Sequence, residues 1–272
     1  MSYCRSVGTL PAKRTSIFAG VLSLFLMLAG ISASPSTRVL PDIFGFLKKP
    51  NNQYARISTS KGECVVRLYN ETPKHRDNFV RLVKKDFYNG TLFHRVISSF
   101  MIQGGDPNSR NAKPGQMLGE GDLGYRIPAE FNPLLFHKKG ALAAARDDNP
   151  AKSSSACQFY IVQGRTYSDD ELNNVEQKRL EGRKIPASQR KVYQVIGGAP
   201  FLDQKYTVFG EVVRGIDLVD SVAAVPTDGN DRPLTDIAMR ITLLKKKEAR
   251  KLEKELAQEA FKSRLIMGGP QR

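Results

Sequence analysis

Residues 93–106 read FHRVISSFMIQGGD and combine polar groups able to bind a ligand with many large apolar side chains. The polar members are His94, Arg95 and Gln103, and a Gly-Gly-Asp turn follows. A core strand rarely carries a histidine, a guanidinium and an amide together, and a loop rarely contains so many large apolar residues. The stretch therefore predicts the wall of an apolar pocket, in which a guanidinium and an amide donate hydrogen bonds to a bound ligand.

Three further segments follow: GALAAAR at 140–146, QFYIV at 158–162 and FLDQKYTVFGEV at 201–212. Together with residues 93–106, they resemble in order the signature segments of the cyclophilins, which are peptidyl-prolyl cis-trans isomerases. GYRIPAEF at 124–131 is similar to bacterial members of that family. The resemblance extends over residues 53–245, and several ordered segments are more specific than any one of them.

The activity that this resemblance implies is rotation about the peptide bond before proline. The barrier is about 18–20 kcal/mol because the amide C–N bond has partial double-bond character. No covalent bond breaks, so we expect no nucleophile, metal or cofactor. Arg95 matches the catalytic arginine of the family. It is expected to donate a hydrogen bond to the prolyl nitrogen or to the adjoining carbonyl as the amide twists, because arginine stays charged and presents a planar fork of donors.

The resemblance also implies the substrate-binding residues. Those matching positions that wall the proline pocket are Phe100, Met101, Tyr160 and Leu202, and Phe201 and Tyr206 match further substrate-binding positions. Gln103 matches a position that hydrogen-bonds the substrate backbone, and Gln158 matches another polar contact. Ala145 and Arg146 match the strand along which the peptide lies.

Four of these positions differ from the well-studied eukaryotic members. Those proteins have tryptophan where this chain has Phe201, phenylalanine at Tyr160, histidine at Tyr206 and asparagine at Arg146. Bacterial relatives often differ here, so isomerase activity is still expected. Tight binding of the cyclic peptide cyclosporin is not expected, because the indole donor of the tryptophan is missing.

The histidines do not indicate another chemistry. His75 lies in the first turn of a predicted helix and His137 in a loop, so with His94 they lack metal-ligand spacing. His94 is predicted to be structural, because isomerisation transfers no proton from the substrate. Hydrolase and metalloenzyme functions are disfavoured because the sequence shows neither a catalytic triad nor a ligand cluster.

The chain has 272 residues and a formal net charge of +15. This length suffices for one ordinary domain with appendages. The charge permits contact with anionic surfaces, but solubility and a basic tail are the favoured explanation. No aromatic stacking platform accompanies the cations of the tail, so nucleic-acid binding is not expected. We expect a monomer.

Residues 1–34 have the pattern of a targeting segment. A basic start precedes an uncharged apolar run at residues 17–31, and the small residues Ser32, Ala33 and Ser34 follow. The run is shorter than the roughly 20 residues of a membrane-spanning helix, so a cleaved signal peptide is favoured and an uncleaved anchor is the alternative. We therefore expect export to the periplasm or beyond, with residues 35–52 as a linker.

Cleavage would remove Cys4 and leave Cys64 and Cys157. Both fall in predicted strands. Two buried free thiols are therefore favoured over a disulfide, although an oxidising compartment would permit pairing.

The predicted fold is mainly β, a closed antiparallel eight-stranded barrel with two helices, over residues 53–245. Alternation around Gly62 predicts a hairpin, and Thr72-Pro73 predicts a helix capped by threonine that stops at Asn89-Gly90. Residues 164–199 are an insertion predicted to form a helical hairpin, with a capping box at Ser168 and Glu171. Residues 246–272 are predicted to form a basic helical tail.

Two functions of different classes follow. The first is an exported isomerase that speeds proline-limited folding of other exported proteins. The alternative is a non-catalytic chaperone or assembly module that grips proline segments. Arg95 favours turnover, whereas the insertion and the tail add surface for binding. A tail held at an anionic membrane or polymer is a third, compatible possibility.

Overall fold

The structure is a computed structural model that describes residues 52–267. Residues 52–267 contain ten strands: β1 Gln53–Thr59, β2 Gly62–Leu68, β3 Phe93–Ile97, β4 Met101–Gly104, β5 Arg126–Ile127, β6 Ala141–Ala144, β7 Ser154–Ser155, β8 Phe159–Val162, β9 Val208–Arg214 and β10 Met239–Leu243. The helices are α1 Pro73–Lys84, α2 Asp169–Lys178, α3 Ala187–Val195, α4 Asp217–Ala223 and α5 Lys246–Met267. The predicted leader and most of the linker lie outside the described residues.

Eight strands form one antiparallel sheet in the order β10-β1-β2-β9-β6-β8-β4-β3. The mainly-β, eight-stranded prediction is confirmed, but the sheet is curled rather than closed. Its edge strands β3 and β10 share no continuous ladder. Backbone hydrogen bonds join the edges where the strands begin, from Phe93 N–H to the Ile237 carbonyl (3.0 Å), from Met239 N–H to the Thr91 carbonyl (2.8 Å) and from Gly90 N–H to the Met239 carbonyl (3.0 Å).

The inner face of the sheet carries the main core, against which α1 and α4 pack. Its members include Ile57, Ile102, Leu142 and Ile161 of the sheet, Phe79, Leu82 and Val83 of α1, and Leu218, Val219 and Val222 of α4. Cys64 and Cys157 are buried in the same core as free thiols. Burial raises the pKa of each to about 12, so both stay protonated at neutral pH.

The start of α1 is capped differently from the prediction. Thr72 occupies the N-cap position, but its side chain makes no capping hydrogen bond. Instead Glu130 accepts from the backbone N–H groups of Lys74 and His75, both at 3.0 Å. A carboxylate there complements the partial positive charge of the helix start. The helix also ends at Lys84, before the predicted stop, and Asp86 then adopts a φ of 54°.

Helices α2 and α3 form the predicted hairpin with a small core of its own. The capping box at Ser168 and Glu171 is present. Leu172, Leu180, Ile185 and Tyr193 are buried together. Glu176 is buried as well, and its carboxylate accepts from Lys184 Nζ (2.8 Å), Ile185 N–H (3.0 Å) and Arg190 Nη1 (2.8 Å). The carboxylate therefore ties α2 to α3.

The tail forms helix α5, which is anchored near its start. Leu252 is buried in a cluster with Tyr54 and Val65 of the first hairpin. Further along, Phe261 and Leu265 are exposed, at 63% and 62%. Of the helices between residues 52 and 267, none is both long and apolar enough to cross a bilayer.

Candidate active site

Strand pairing aligns predicted site residues in a row across the outer face of the sheet. Arg95 of β3 pairs with Gln103 of β4, Gln103 pairs with Tyr160 of β8, and Tyr160 pairs with Ala143 of β6. Directly paired residues point to the same face, while their chain neighbours point to the other. Ile102 accordingly enters the main core, and Gln103 remains on the outside.

The row borders a cavity of about 150 Å³. Nine side chains line it, and every one was predicted from the sequence: Arg95, Phe100, Met101, Gln103, Ala145, Arg146, Tyr160, Leu202 and Tyr206. Two other predicted residues, Phe201 and Gln158, are adjacent to the cavity but do not line it. The geometry therefore brings together a guanidinium, an amide and an apolar surface.

Arg95 stands at the cavity with its orientation set by Asp231. Its Nε donates to Asp231 Oδ2 at 3.3 Å, and the Arg95 side chain is 45% exposed. The backbone around it is also fixed, since the N–H of Val96 donates to the carbonyl of Asp231 at 2.8 Å. Because Asp231 engages Nε, the two Nη groups remain for a ligand, with no partner among residues 52–267.

Aromatic contacts shape the apolar walls. The rings of Phe100 and Phe201 pack with centroids 5.4 Å apart, and Tyr206 meets Tyr160 edge-on at 5.9 Å. Phe100 is held by its carbonyl, which accepts from the N–H groups of Gln163 and Gly164, both at 3.0 Å. Phe201 therefore supports the wall by packing against Phe100.

Gln103 and Gln158 act as a pair. Gln158 is buried, and its Nε2 donates to the carbonyls of Gly119 (2.7 Å) and Gly121 (2.8 Å). Its Oε1 accepts from Gln103 Nε2 at 3.1 Å. The Oε1 of Gln103 is thereby directed away from Gln158 and can accept an N–H from a peptide. The structure thus places Gln158 behind Gln103 as its support, and a direct substrate contact by Gln158 stays a prediction.

The segment predicted to carry the peptide is only partly free to pair with it. Ala145 already donates its N–H to the carbonyl of Gln158 (3.0 Å), and its own carbonyl accepts from Ser155 N–H (2.8 Å). Arg146 comes next, and its backbone groups have no hydrogen bond within the described residues. Its side chain stacks over the ring of Tyr206 at 4.7 Å and donates from Nε to the carbonyl of Lys205 at 3.1 Å. Arg146 is therefore the residue that can pair with an extended peptide.

Residues that sequence reasoning missed lie behind the tyrosine wall. The hydroxyl of Tyr160 is 3.0 Å from Nε2 of His137, whose Nδ1 is 2.9 Å from Oδ1 of Asp203. His137 and Asp203 are both buried, and burial raises the pKa of Tyr160 well above its ordinary value, so its phenol stays protonated. No spacing in the sequence signals this contact, because the two residues of the His–Asp pair are 66 positions apart.

His94 is buried in β3 next to Arg95, and it is not among the residues that line the cavity. It is 3% exposed, and neither ring nitrogen has a hydrogen-bond partner in the described part of the chain. Desolvation lowers its pKa to about 4, so the ring is neutral at pH 7. No cluster of three or more metal-ligating side chains occurs within residues 52–267.

The family follows from comparison with known sequences. The sequence model of the cyclophilin type peptidyl-prolyl cis-trans isomerase/CLD family matches residues 54–243. This chain belongs to that family. The segments quoted from the sequence and the cavity they form lie within the matched residues, so the fold, the site and the family agree on a peptidyl-prolyl cis-trans isomerase.

Curated relatives agree with this assignment. A "Putative peptidyl-prolyl cis-trans isomerase" of Staphylococcus saprophyticus is 36% identical over 182 residues, which cover 66% of this chain and 86% of the relative. A protein of the same name from Staphylococcus haemolyticus is 34% identical, with 66% and 85% covered.

Solved structures agree on the fold. A Cryptosporidium parvum cyclophilin type isomerase superposes with a TM-score of 0.51 at 24% identity, covering 71% of this chain and 98% of that one. A second crystal structure of that protein, obtained in the presence of the dipeptide Ala-Pro, also superposes with a TM-score of 0.51, at 23% identity over 71% of this chain and 99% of that one. At these identities the likeness speaks for the fold alone.

Proposed function

We propose that this isomerase acts on X-Pro bonds of exported polypeptides, with Arg95 as the catalytic donor. The observation that carries the proposal is that Arg95 and Gln103 share one small cavity with apolar side chains and a tyrosine wall. At about 150 Å³ the cavity is smaller than the roughly 300–1,000 Å³ of sites for drug-sized ligands. It suits one small ring, with the rest of the peptide lying along the surface.

Arg95 is suited to stabilise the twisted amide. As the C–N bond rotates, the prolyl nitrogen regains its lone pair and becomes an acceptor. A guanidinium already oriented by Asp231 needs little reorganisation to donate to that nitrogen or to the adjoining carbonyl. The apolar walls hold the ring and exclude water, while Gln103 and the backbone of Arg146 supply hydrogen bonds for the flanking peptide.

The related structure obtained in the presence of Ala-Pro supports proline-containing peptides as the substrate class. A protein that binds proline segments without catalysis would use the same apolar and aromatic walls of the cavity. It would not require an arginine whose Nε is engaged and whose Nη groups remain for the ligand. Arg95 therefore favours turnover over binding alone.

The test is isomerase activity on an Ala-Pro peptide for the wild type, Arg95→Ala, Arg95→Lys and Arg240→Ala. Arg240 is an exposed arginine of the opposite edge strand and serves as the matched control. Loss of one preorganised donor typically costs about 10²–10³-fold in rate, and we expect this for Arg95→Ala. Lysine lacks the planar fork and should restore little. Equal activity of Arg95→Ala and Arg240→Ala would refute the role of Arg95, and an inactive wild type that binds the peptide would favour the binding module.

Export is the second part of the proposal, and the pattern of residues 1–34 supports it. The test is fractionation of bacterial cells that make the full chain or a chain starting at residue 35. Export predicts that only the full chain leaves the cytoplasm, in a cleaved form or attached to the membrane. Equal cytoplasmic retention of both chains would contradict it.

The tail supports contact with an anionic lipid surface. Residues 245–264 carry eight lysines and arginines against four glutamates, and the exposed Phe261 and Leu265 follow the part of α5 that packs on the sheet. A chain ending at Glu259 keeps Leu252 and leaves that packing intact. We expect the full chain to sediment with vesicles containing phosphatidylglycerol at low salt, and the shortened chain to bind less. Binding that is unaffected by either salt or truncation would contradict this role.

A further inference from the structure

The core of the inserted hairpin is hydrogen-bonded to the residues behind the tyrosine wall. Tyr193 of α3 is fully buried between Phe136 and Tyr167. Its hydroxyl donates to Oδ2 of Asp203 at 2.7 Å. Asp203 immediately follows Leu202, which lines the cavity. A residue of the insertion therefore contacts the segment that forms one cavity wall.

Asp203 is also hydrogen-bonded to His137, which in turn contacts Tyr160. Oδ1 of Asp203 accepts from both the backbone N–H and Nδ1 of His137, each at 2.9 Å. A carboxylate can only accept, so Nδ1 carries a proton. When the ring carries only this proton, Nε2 is an acceptor and the phenol of Tyr160, 3.0 Å away, is the donor.

The result is a series of hydrogen bonds that meet at Asp203. Tyr160 donates to His137 and His137 donates to Asp203 from one side, and Tyr193 donates to Asp203 from the other. The rings of Tyr160 and His137 also stack, with centroids 6.1 Å apart and planes at 13°. The plane of the Tyr160 ring is therefore held by an imidazole, whose own orientation is held by Asp203.

We propose that Tyr193, Asp203 and His137 are positioning residues for isomerisation, through which the inserted hairpin sets the orientation of the Tyr160 wall. This inference rests on the proposed function of the cavity. The insertion thereby takes part in the reaction, because its Tyr193 hydroxyl donates the hydrogen bond to Oδ2 of Asp203.

Removal of that hydroxyl has a specific consequence. In Tyr193→Phe the ring and its packing remain, but Oδ2 of Asp203 loses its donor inside the protein. A buried acceptor without a partner is costly, so the carboxylate turns or admits water. His137 and the phenol of Tyr160 then lose their fixed directions. Small displacements of substrate-positioning groups reduce rates strongly.

The test compares Tyr193→Phe with Tyr167→Phe on an Ala-Pro peptide, measuring kcat and KM separately. Tyr167 is a buried tyrosine of the same hairpin core, and its hydroxyl is not part of the series. We expect kcat/KM to fall about tenfold in Tyr193→Phe and less than threefold in Tyr167→Phe. In a Tyr160→Phe background, which lacks the hydroxyl that His137 holds, Tyr193→Phe should cost less than twofold. Equal losses in both backgrounds would show a merely structural effect and overturn the inference.

A second measurement does not depend on any variant. The ¹⁵N chemical shifts of His137 in the wild type should show a proton on Nδ1, and an imidazole protonated on Nε2 alone would overturn the inference. The outcomes also separate the two proposals. If Arg95→Ala is inactive while Tyr193→Phe equals the wild type, the positioning inference fails and the proposed function stands. If the wild type is itself inactive, the proposed function fails.

Discussion

Lowering the pH should destabilise the folded protein through His94. This ring is 3% exposed, and desolvation lowers its pKa to about 4. The ordinary value of about 6.5 applies to the unfolded chain. Between these two values the unfolded state binds a proton that the folded state does not, so stability is fully present above about pH 6.5 and decreases as the pH falls. Linkage gives a loss of about 2 kcal/mol at pH 5 and about 3 kcal/mol at pH 4.

Such a loss is large against the 5–15 kcal/mol of a typical domain. The assay is urea unfolding at pH 7, 6, 5 and 4 for the wild type and His94→Leu, which cannot titrate and leaves no buried polar atoms. His75 also has its pKa lowered by desolvation and serves as a background present in both proteins. We expect the wild type to lose about 3 kcal/mol more than His94→Leu between pH 7 and pH 4. Parallel pH profiles for the two proteins would refute this reasoning.

Three further perturbations address the hairpin, a close backbone contact and the tail. Glu176→Gln should cost about 2–4 kcal/mol in urea unfolding, because hydrogen bonds from Lys184, Ile185 and Arg190 hold the pKa of Glu176 low in spite of its burial. Gly198→Ala should cost about 2 kcal/mol or more and reduce isomerase activity, since the new Cβ would lie 2.2 Å from the carbonyl oxygen of His137 and φ is 153°. Leu252→Ala should cost about 2 kcal/mol in urea unfolding and leave isomerase activity unchanged, because only the anchor of α5 is lost.

Each perturbation has a matched control. Glu181→Gln changes an exposed glutamate of the hairpin, Gly229→Ala adds a Cβ in open space, and Leu265→Ala truncates an exposed leucine of α5. Surface changes of this kind usually stay within about 0.5 kcal/mol. If any control matched its test variant, the contact named for that variant would not be the cause.

The sequence predicted what depends on neighbouring residues. The side-chain types of residues 93–106 predicted a pocket wall with a guanidinium and an amide, and the structure adds that Ile102 enters the core while Gln103 faces the cavity. The capping box of α2 was predicted as well, because Ser168 and Glu171 are three positions apart. The nine lining residues were found through resemblance, which transfers positions but not contacts.

What could not be predicted depends on residues distant in sequence. Thr72 has the right type and place for an N-cap, yet the N–H groups of α1 are satisfied by Glu130, more than 50 positions away. A carboxylate brought in by the tertiary fold replaced the local hydroxyl. Closure of the barrel also failed as a prediction, because it depends on whether β3 and β10 pair, and no local pattern reports the pairing of the first and last strands of a sheet.

The alternation of the strands that carry the site has an evolutionary consequence. Ile102 and Ile161 face the core, whereas Gln103 and Tyr160, their immediate neighbours, face the cavity. Substitutions at the even and odd positions of one strand should therefore fall under separate selection, one for folding and one for the range of accepted peptides. A deep mutational scan of these strands should show tolerance that alternates from residue to residue, with different assays sensitive to each half. The range of peptides that such a scaffold accepts can therefore change while its core residues stay the same.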